Sequence, residues 1–534
     1  MRKSFVTYSL GILLQILACI LIIPACIAFF DVSSRAFPAI LFDHRLCGFI
    51  IAIVSSLVCG SILRAIGSKT LTGNGVREGF VIVTFGWLLL TLFGALPLFV
   101  YFISQVEVVT AATVFRAATD AYFEIMSGFT TTGATIITDI EILPRGILFW
   151  RSLTHWLGGM GIVTLALALW PAFGIASYQM FRGEVPGPTA EQLKPRLAQT
   201  ATILWGIYGL LTAAETILLM CGGMSLFDAL CHAFGTMATG GFSTRNASIA
   251  AFNSAYIDWV VIIFMFFAGM NFIIHYRIFF TRKFDLVRNN REFHFYVAVL
   301  LLSICLTAVV LRTNGVVSAE AEAKSFRNKP LSTEQLQEKV ITESAKVNSV
   351  GKTLRYSAFQ VVSLTTTTGF CTADFDVWPN GIRYLLVILM FFGGCAGSTG
   401  GGIKMMRVMV VMKTAWREVI TMIKPRIIVP LKIAGQTIGE KLVANIGGFV
   451  ALFLLSFVFF VGLMSFLIDD YTTAITSVVA TMCNIGPGLS GVGATENYAW
   501  IPLPGKWILT LCMLLGRLEI YTVFIAFAPV SWRR

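Results

Sequence analysis

The sequence predicts an all-α polytopic membrane protein, with two N-terminal transmembrane helices followed by four similar helix–re-entrant loop–helix units. The composition is strongly apolar, with 56% hydrophobic and 13% charged residues and a mean hydropathy of +0.80. Apolar runs of bilayer length recur along all 534 residues. Four Thr/Gly-rich turns, each after a helix too short to span, recur in the same place within each unit. Soluble domains do not combine these properties.

The apolar runs predict the spanning helices. A spanning helix needs about 20 apolar residues at a rise of 1.5 Å per residue. The main runs are 10–30, 46–66, 80–102, 147–170, 203–221, 259–274, 295–311 and 443–468. The shorter runs gain the required length from their flanks. The N-terminal run is too long for a signal peptide and lacks a clear cleavage site, so it is interpreted as a retained first helix.

Charge and cysteine usage exclude several other classes of protein. The net charge is +12, but the basic residues lie in alternate loops, as the positive-inside rule requires, and no nucleic-acid motif accompanies them. The eleven cysteines contain no CxxC pair, which excludes a disulfide framework or a zinc site. Known nucleophile, metalloprotease and phosphate-loop motifs are also missing, so the chain is not predicted to be an enzyme.

The predicted units divide the chain into five parts. They are an N-terminal two-helix domain (1–79) and four units at 80–199, 200–292, 293–440 and 441–534. The third unit carries an outer insertion (313–352), whose middle could be an amphipathic helix or a mobile loop, and a Gly-rich intramembrane loop (393–402). Each unit starts and ends in the cytoplasm, so every turn falls on the outer side and both termini are cytoplasmic.

The four turns lie at 130–134, 237–241, 366–370 and 483–487, with key glycines predicted at Gly133, Gly240, Gly369 and Gly486. Non-helical backbone within a membrane is costly unless it lines water or protein. A dehydrated cation supplies a reason, because rings of carbonyl oxygens replace its hydration shell. Glycine permits the required dihedral angles, and a β-branched threonine stiffens the strand.

The short helices before the turns run over 112–127, 226–237, 352–364 and 470–482. Their C-terminal ends carry partial negative charge, which favours a cation at each turn. Any single turn could be an ordinary extracellular loop. Four turns in register favour an ion filter.

At these residues a family resemblance appears. The four filter segments of the Trk/Ktr/HKT superfamily of potassium transporters resemble SGFTTTGAT, GTMATGGFST, SLTTTTGF and NIGPGLSG. The two extra N-terminal helices and the segment GGCAGSTGGGIK at 393–404 are most similar to the bacterial TrkH/TrkG branch.

The resemblance implies which main-chain oxygens coordinate potassium. They are the carbonyls of Thr131, Thr132, Ala238, Thr239, Thr367, Thr368, Asn484 and Ile485. Paired glycines leave the register open, since Gly241 or Gly488 could replace Gly240 or Gly486.

The resemblance further implies potassium as the transported ion, with no cofactor in this chain. It implies a homodimer in the lipid of a bacterial inner membrane, and a cytosolic nucleotide-binding partner of the TrkA type. Nucleic acid is not a partner.

Two candidate gates are predicted beneath the filter. The glycines of the intramembrane loop, Gly397, Gly400, Gly401 and Gly402, cannot sustain a stable helix. By resemblance, the loop obstructs the pore; the alternative is a close helix-packing seam. Arg517, expected inside the last apolar helix, resembles the family's pore-facing arginine; the alternative is a bond to Glu519 or to another helix.

Other charged residues near the membrane are interpreted as hydrogen-bonded anchors of the pore helices or as interface residues, and none is assigned to permeation. They are Asp120, Glu124, Arg151, His155, Glu215, Asp228 and His232. The predicted function is therefore potassium uptake through a channel-like pore. The alternative is a sodium-permeable or ion-coupled cation carrier of the same superfamily. A carrier built on inverted repeats is discordant with four units that share one orientation.

Overall fold

The structure of the protein is a computed structural model that describes residues 1–32, 43–69, 76–161, 197–280, 282, 285–316, 333–426, 429–433 and 436–532. The predicted end of the first unit therefore lies partly outside the described residues, as does much of the outer insertion. Within the described residues, the only strands form a hairpin of two short segments, Lys432–Ile433 (β1) and Gln436–Thr437 (β2). The predicted all-α class is confirmed.

The N-terminal pair consists of α1 (Lys3–Val32) and α2 (His44–Ile66), which pack along their lengths. Their backbones touch at Gly11 and Gly60, where a Cβ on either residue would lie within 2.8 Å of the other's carbonyl oxygen. Small residues permit such close approach of membrane helices. Asp43 caps α2 by accepting the N–H of Arg45 at 2.9 Å.

The helices of the first two units follow in chain order. In the first unit they are α3 (Val76–Gly94), α4 (Leu96–Ser104), α5 (Ala111–Phe129) and α6 (Arg145–Gly159). In the second they are α7 (Leu197–Cys221), α8 (Leu226–Ala238), α9 (Ala255–Ala268) and α10 (Phe272–Phe279), with a short 3₁₀ helix at Ser248–Phe252.

The third and fourth units are longer. The third contains α11 (Asp285–Asn289), α12 (Arg291–Asn314), α13 (Thr333–Lys346), α14 (Val350–Thr365), α15 (Asn380–Phe391) and α16 (Met405–Ile423). The fourth contains α17 (Glu440–Ser465), α18 (Tyr471–Met482), α19 (Leu503–Arg517), α20 (Glu519–Phe527) and α21 (Pro529–Trp532). Two 3₁₀ helices, Phe375–Val377 and Ser490–Val492, follow the third and fourth turns.

By length and composition, six helices of the described chain could cross a membrane, or up to eight if each strongly bent pair counts as one span. Each of the four short helices α5, α8, α14 and α18, which we call the pore helices, packs against at least one of these spans. The chain is therefore a multi-pass membrane protein, as predicted.

The second long helix is broken in the second, third and fourth units, which differs from the predicted continuous spans in the second and fourth. Helices α9 and α10 meet at 103°, and α19 and α20 meet at 113°. The Gly-rich loop separates α15 from α16. Only the last of these breaks was predicted. Apolar composition continues across the other breaks, so hydropathy alone does not reveal them.

The described part of the outer insertion is helical. Helix α13 lies against the loops that follow the third and fourth turns, with an ion pair between Lys339 and Asp374. At its end, Lys346 donates to the carbonyl oxygen of Thr372 at 3.0 Å. The amphipathic-helix alternative therefore holds for the stretch Thr333–Lys346 of the insertion.

Candidate ion-conduction site

The four pore helices share one way of starting. The residue before each helix accepts, through its side chain, the N–H of the residue three positions later. These caps are Thr110, Ser225, Ser349 and Asp470. Such caps fix the first turn of each helix. Towards their C-terminal ends the helices become fully buried, and each ends at one of the four predicted turns.

The four turns adopt the same unusual backbone. One residue near the start of each turn has a positive φ angle, of 54°, 56°, 61° and 57° at Thr131, Thr239, Thr367 and Asn484. Two positions later, glycines have φ of 78°, 80°, 80° and 97°, at Gly133, Gly241, Gly369 and Gly486. The residue between them donates its N–H to the carbonyl five positions earlier, within 2.9 Å; these residues are Thr132, Gly240, Thr368 and Ile485. One local conformation is therefore repeated in each unit.

Contacts between the turns close into a ring. A Cβ placed on each positive-φ glycine would come within 2.7 Å of the carbonyl oxygen of the residue before the glycine in the next unit. The glycine-to-oxygen pairs are Gly133 to Gly240, Gly241 to Thr368, Gly369 to Ile485, and Gly486 to Thr132. The last pair returns to the first unit. The four turns therefore surround one axis, with a carbonyl oxygen from each unit packed against the neighbouring turn.

The register of the second turn differs by one residue from the expected one. Gly241, not Gly240, has the positive φ and occupies the position of Gly133. Gly240 corresponds to Thr132, and a Cβ there would come within 2.8 Å of the ring of His155. The two adjacent glycines are therefore required for different reasons. Gly241 adopts a positive φ, and Gly240 packs closely against the ring of His155. In the fourth turn the positive φ is at Gly486, the predicted position.

The fourth turn, which has Asn-Ile in place of Thr-Thr, is held by its own contacts. The Asn484 amide donates to Thr132 Oγ1 at 3.0 Å and to the Met513 carbonyl at 3.0 Å. The Tyr498 hydroxyl donates to the Gly486 carbonyl oxygen at 2.7 Å. These bonds hold the irregular sequence in the same conformation as the other turns.

A cavity of about 130 Å³ lies against one side of the ring. Its lining includes Gly133, Gly241, Gly369 and Gly486, one glycine from each unit. The volume accommodates several water molecules.

The Gly-rich loop lies against the opposite side of the ring. The N–H of Gly401 donates to Thr367 Oγ1 at 2.7 Å, and Thr399 Oγ1 donates to the Met237 carbonyl at 3.0 Å. Both partners belong to the C-terminal ends of pore helices or to the turns themselves. The base of the loop is closed by Gly393 N–H donating to the Ile403 carbonyl at 2.9 Å. The loop is thus seated beneath the four turns.

Arg517 is the last residue of α19 and lies at the 113° bend, not inside a continuous helix. Its guanidinium donates to the carbonyl oxygens of Thr399 at 2.8 Å and Gly159 at 2.7 Å, and also to that of Gly158. It therefore connects the Gly-rich loop of the third unit to the end of α6 in the first. Of the two alternative partners expected for Arg517, Glu519 instead pairs with Arg407 at 2.7 Å. The bonds to Gly158 and Gly159 are the expected bond to another helix, because both residues belong to α6.

Comparison with known proteins gives a single result. The sequence profile of the TrkH family, described as "Cation transport protein", matches residues 47–534. The chain belongs to the TrkH family. A curated relative from Halomonas elongata, Trk system potassium uptake protein TrkH, is 37% identical over 488 residues, covering 91% of this chain and 92% of the relative. The TrkH protein of Escherichia coli (strain K12) is 35% identical over 539 residues, with full coverage of both chains.

Relatives in the same system and solved structures agree. Trk system potassium uptake protein TrkG of Escherichia coli (strain K12) is 31% identical and covers 86% of both chains. The crystal structure of the potassium transporter TrkH from Vibrio parahaemolyticus covers 100% of both chains, with a TM-score of 0.80 at 30% identity. As a member of the TrkH family, the chain is a transporter and not an enzyme.

In this TrkH-family chain, the groups that the four turns bring together around the axis are main-chain carbonyl oxygens. In the described residues, no group of three or more His, Cys, Asp or Glu side chains could hold a metal ion. Seven of the eight residues predicted as ligands lie between the pore helices and the positive-φ glycines that meet at the axis: Thr131, Thr132, Thr239, Thr367, Thr368, Asn484 and Ile485. The eighth, Ala238, is the last residue of α8.

Sequence reasoning left one feature of this TrkH-family site open and missed another. The role of Gly241 was left as an alternative because adjacent glycines look equivalent in a sequence. The capping residues of the pore helices were missed, although a search for Ser, Thr or Asp before each short helix would have found them.

Proposed function

We propose that the chain takes up potassium across a bacterial inner membrane through a pore whose filter is the ring of main-chain carbonyls. The closed ring of four turns around one axis is the observation that supports this function most directly. Carbonyl oxygens replace the water lost by an entering ion, and a transporter needs binding that is weak enough to release the ion again. The names of the curated relatives support potassium as the ion.

The proposed ligands follow the observed register. They are the carbonyl oxygens of Thr131, Thr132, Thr239, Gly240, Thr367, Thr368, Asn484 and Ile485. Gly240 enters this set in place of Ala238, because Thr239 and Gly240 occupy the positions of Thr131 and Thr132. The side chain of Thr131 and the amide of Asn484 are fully buried, which keeps both turns out of contact with lipid.

The proposed units keep the predicted boundaries, with the N-terminal pair at 1–79 and the four units at 80–199, 200–292, 293–440 and 441–534. The turns and the outer insertion face outward, and the basic loops and both termini face the cytoplasm. The positive-inside bias of those loops supports this orientation.

The proposed gate is the Gly-rich loop together with Arg517. The loop lies directly beneath the turns, and Arg517 places a positive charge at the same level while holding the Thr399 carbonyl. A fixed cation in a narrow path raises the barrier for a passing cation. Conduction would then require the loop to leave its seat.

Replacing Gly401 by valine is expected to raise potassium flux about fivefold by shifting the loop towards its displaced state. A Cβ at Gly401 would lie 3.0 Å from Asn484 Cβ and closer still to the Cys483 carbonyl oxygen, so the loop cannot stay seated. Rubidium uptake into proteoliposomes, normalised to reconstituted protein, measures the effect. Gly439→Val is the matched control, because a Cβ there meets nothing within 4 Å. Flux at or below the wild-type value would contradict the gate.

Two protein partners are part of the proposal: a second copy of the chain, and a cytosolic nucleotide-binding subunit of the TrkA type. The exposed side of α16 favours a partner at the cytoplasmic side. This helix directly follows the Gly-rich loop and exposes large apolar side chains. These are Met412, Trp416, Val419, Met422 and Ile423. A partner bound to α16 could move the loop to which α16 is joined.

The function is tested by expressing the chain in a bacterium that lacks its own potassium uptake systems. Growth at limiting potassium, together with rubidium or potassium flux into the cells, is the expected result. Failure to restore growth despite normal membrane expression would contradict the proposal. Sodium uptake equal to potassium uptake would favour the sodium-permeable alternative.

A further inference from the structure

The first pore helix carries a buried carboxylate directly behind the first turn. Glu124 of α5 is 0% exposed. Its carboxylate accepts the N–H of Ile136 at 2.9 Å and the hydroxyl of Thr135 at 3.0 Å. Ile136 and Thr135 belong to the strand that leaves the turn just after Gly133. Glu124 therefore holds the extended segment that follows the first turn, at Thr135 and Ile136, against α5.

The counter-charge for Glu124 comes from α6 and extends to the second turn. Arg151, 1% exposed, donates through Nε to the Glu124 carboxylate at 2.8 Å. Its guanidinium carbon also lies 4.1 Å from the centre of the Phe242 ring, and Nη1 donates to the Ser243 carbonyl at 3.5 Å. Phe242 and Ser243 directly follow Gly241. The Glu124–Arg151 ion pair thus contacts the segments that follow two neighbouring turns.

One helical turn after Arg151, His155 makes a second connection between the same two turns. Its Nδ1 lies 2.9 Å from the Gly128 carbonyl oxygen, and its Nε2 lies 3.2 Å from the N–H of Phe242. A carbonyl can only accept and an amide N–H can only donate. The imidazole is therefore neutral, with its proton on Nδ1. His155 joins the end of the first pore helix to the second turn.

We propose that Glu124, Arg151 and His155, here called the clamp, set the discrimination of the filter between potassium and sodium. This inference rests on the proposed filter function. The clamp fixes the junction at which the Gly240 carbonyl packs against Gly133. Since smaller cations need shorter oxygen distances, discrimination depends on how firmly the ring resists contraction. Loosening the junction lets the Gly240 and Thr132 carbonyls approach a sodium ion.

If the Glu124–Arg151 ion pair served stability alone, it would not need to contact the segments that leave the turns. Burying two charges costs more desolvation free energy than most ion pairs recover, so a buried pair is weak support for stability as its purpose. The chain contains a natural comparison one turn earlier on the same helix. Asp120 pairs with Lys506 at 2.6 Å, and Lys506 is 1% exposed. That pair joins α5 to α19, and among the described residues neither side chain bonds to the segments that leave the turns.

The test compares Glu124→Gln with Asp120→Asn in the full-length protein. Potassium and sodium uptake are measured in proteoliposomes at equal protein content, and their ratio is the readout. Glu124→Gln is expected to lower the potassium-to-sodium ratio about tenfold because the charge-assisted bonds to Arg151 are lost. His155→Phe, which keeps the ring packing but removes both hydrogen bonds, is expected to lower it in the same direction. Asp120→Asn is expected to keep the wild-type ratio.

A second variant guards against misfolding from an unpaired buried charge. The double variant Glu124→Gln/Arg151→Gln removes both charges and retains neutral hydrogen-bonding groups, and a lowered ratio there supports the clamp. A wild-type ratio in Glu124→Gln, with only the overall rate reduced, would overturn it. Equal loss of ratio in Asp120→Asn would also overturn it. Failure of the proposed filter itself would appear separately, as wild-type protein that takes up no potassium.

Discussion

Replacing Gly369 by valine is expected to reduce potassium uptake by about two orders of magnitude or more, since both the backbone dihedral and the ring contact are lost. Gly369 has a φ of 80°, a region that β-branched residues avoid. A Cβ there would approach the Ile485 carbonyl oxygen closer than the 3.0 Å limit of real Cβ contacts. The turn must therefore rotate, and its carbonyls leave the axis. Growth at limiting potassium and rubidium flux are the measurements.

The matched control for Gly369 lies in the same unit. Gly381, in the first turn of α15, is exposed, and a Cβ there meets nothing within 4 Å. Gly381→Val should support growth like the wild-type chain. Both variants need equal amounts in the membrane, measured by immunoblotting. Wild-type growth of Gly369→Val cells would show that this turn does not line the ion path.

Much of the fold was predictable because its signals are local. Apolar runs identify spanning helices, and helices too short to span must dip into the membrane and return. The Thr/Gly turns were visible because each short helix is followed within a few residues by a β-branched residue and a glycine. The closure of the ring was not visible, since it depends on contacts such as that between Gly486 and Thr132 across most of the chain.

The register of the second turn shows where local information ends. Gly240 and Gly241 are chemically identical in the sequence. What separates them is a φ of 80° at Gly241 and the ring of His155 beside Gly240. His155 lies in another unit, so no property of the second turn alone could have selected the register.

The breaks between α9 and α10 and between α19 and α20 were not predicted, for a different physical reason. At the bend between α9 and α10, Asn271 caps the new helix by accepting the N–H of Ile273 at 2.8 Å. The freed carbonyl of Gly269 accepts the N–H of Cys395 in the Gly-rich loop at 2.8 Å. Breaks in membrane helices are tolerated where neighbouring segments satisfy the freed groups. That compensation comes from another unit, and hydropathy cannot detect it.

Replacing Arg517 by glutamine is expected to raise potassium flux about tenfold or more. Charge-assisted hydrogen bonds contribute about 1.5–3 kcal/mol each, and about 1.4 kcal/mol corresponds to a tenfold change in an equilibrium. Arg517 donates to the carbonyls of Thr399, Gly159 and Gly158, so losing even one bond shifts the Gly-rich loop towards release. The variant also removes a positive charge beneath the filter, which lowers the barrier for a cation.

Rubidium flux per reconstituted protein measures the effect of Arg517→Gln, with Arg288→Gln, an exposed arginine of α11, as the control for loss of a positive charge. Combining Arg517→Gln with Gly401→Val gives a sharper result. If both act by unseating one loop, the double variant should gain little over the larger single effect, because the loop can be released only once. Multiplied effects would mean that Arg517 acts on the ion by its charge alone. If Arg517→Gln leaves the flux unaltered, Arg517 has only a structural role, connecting the first and third units.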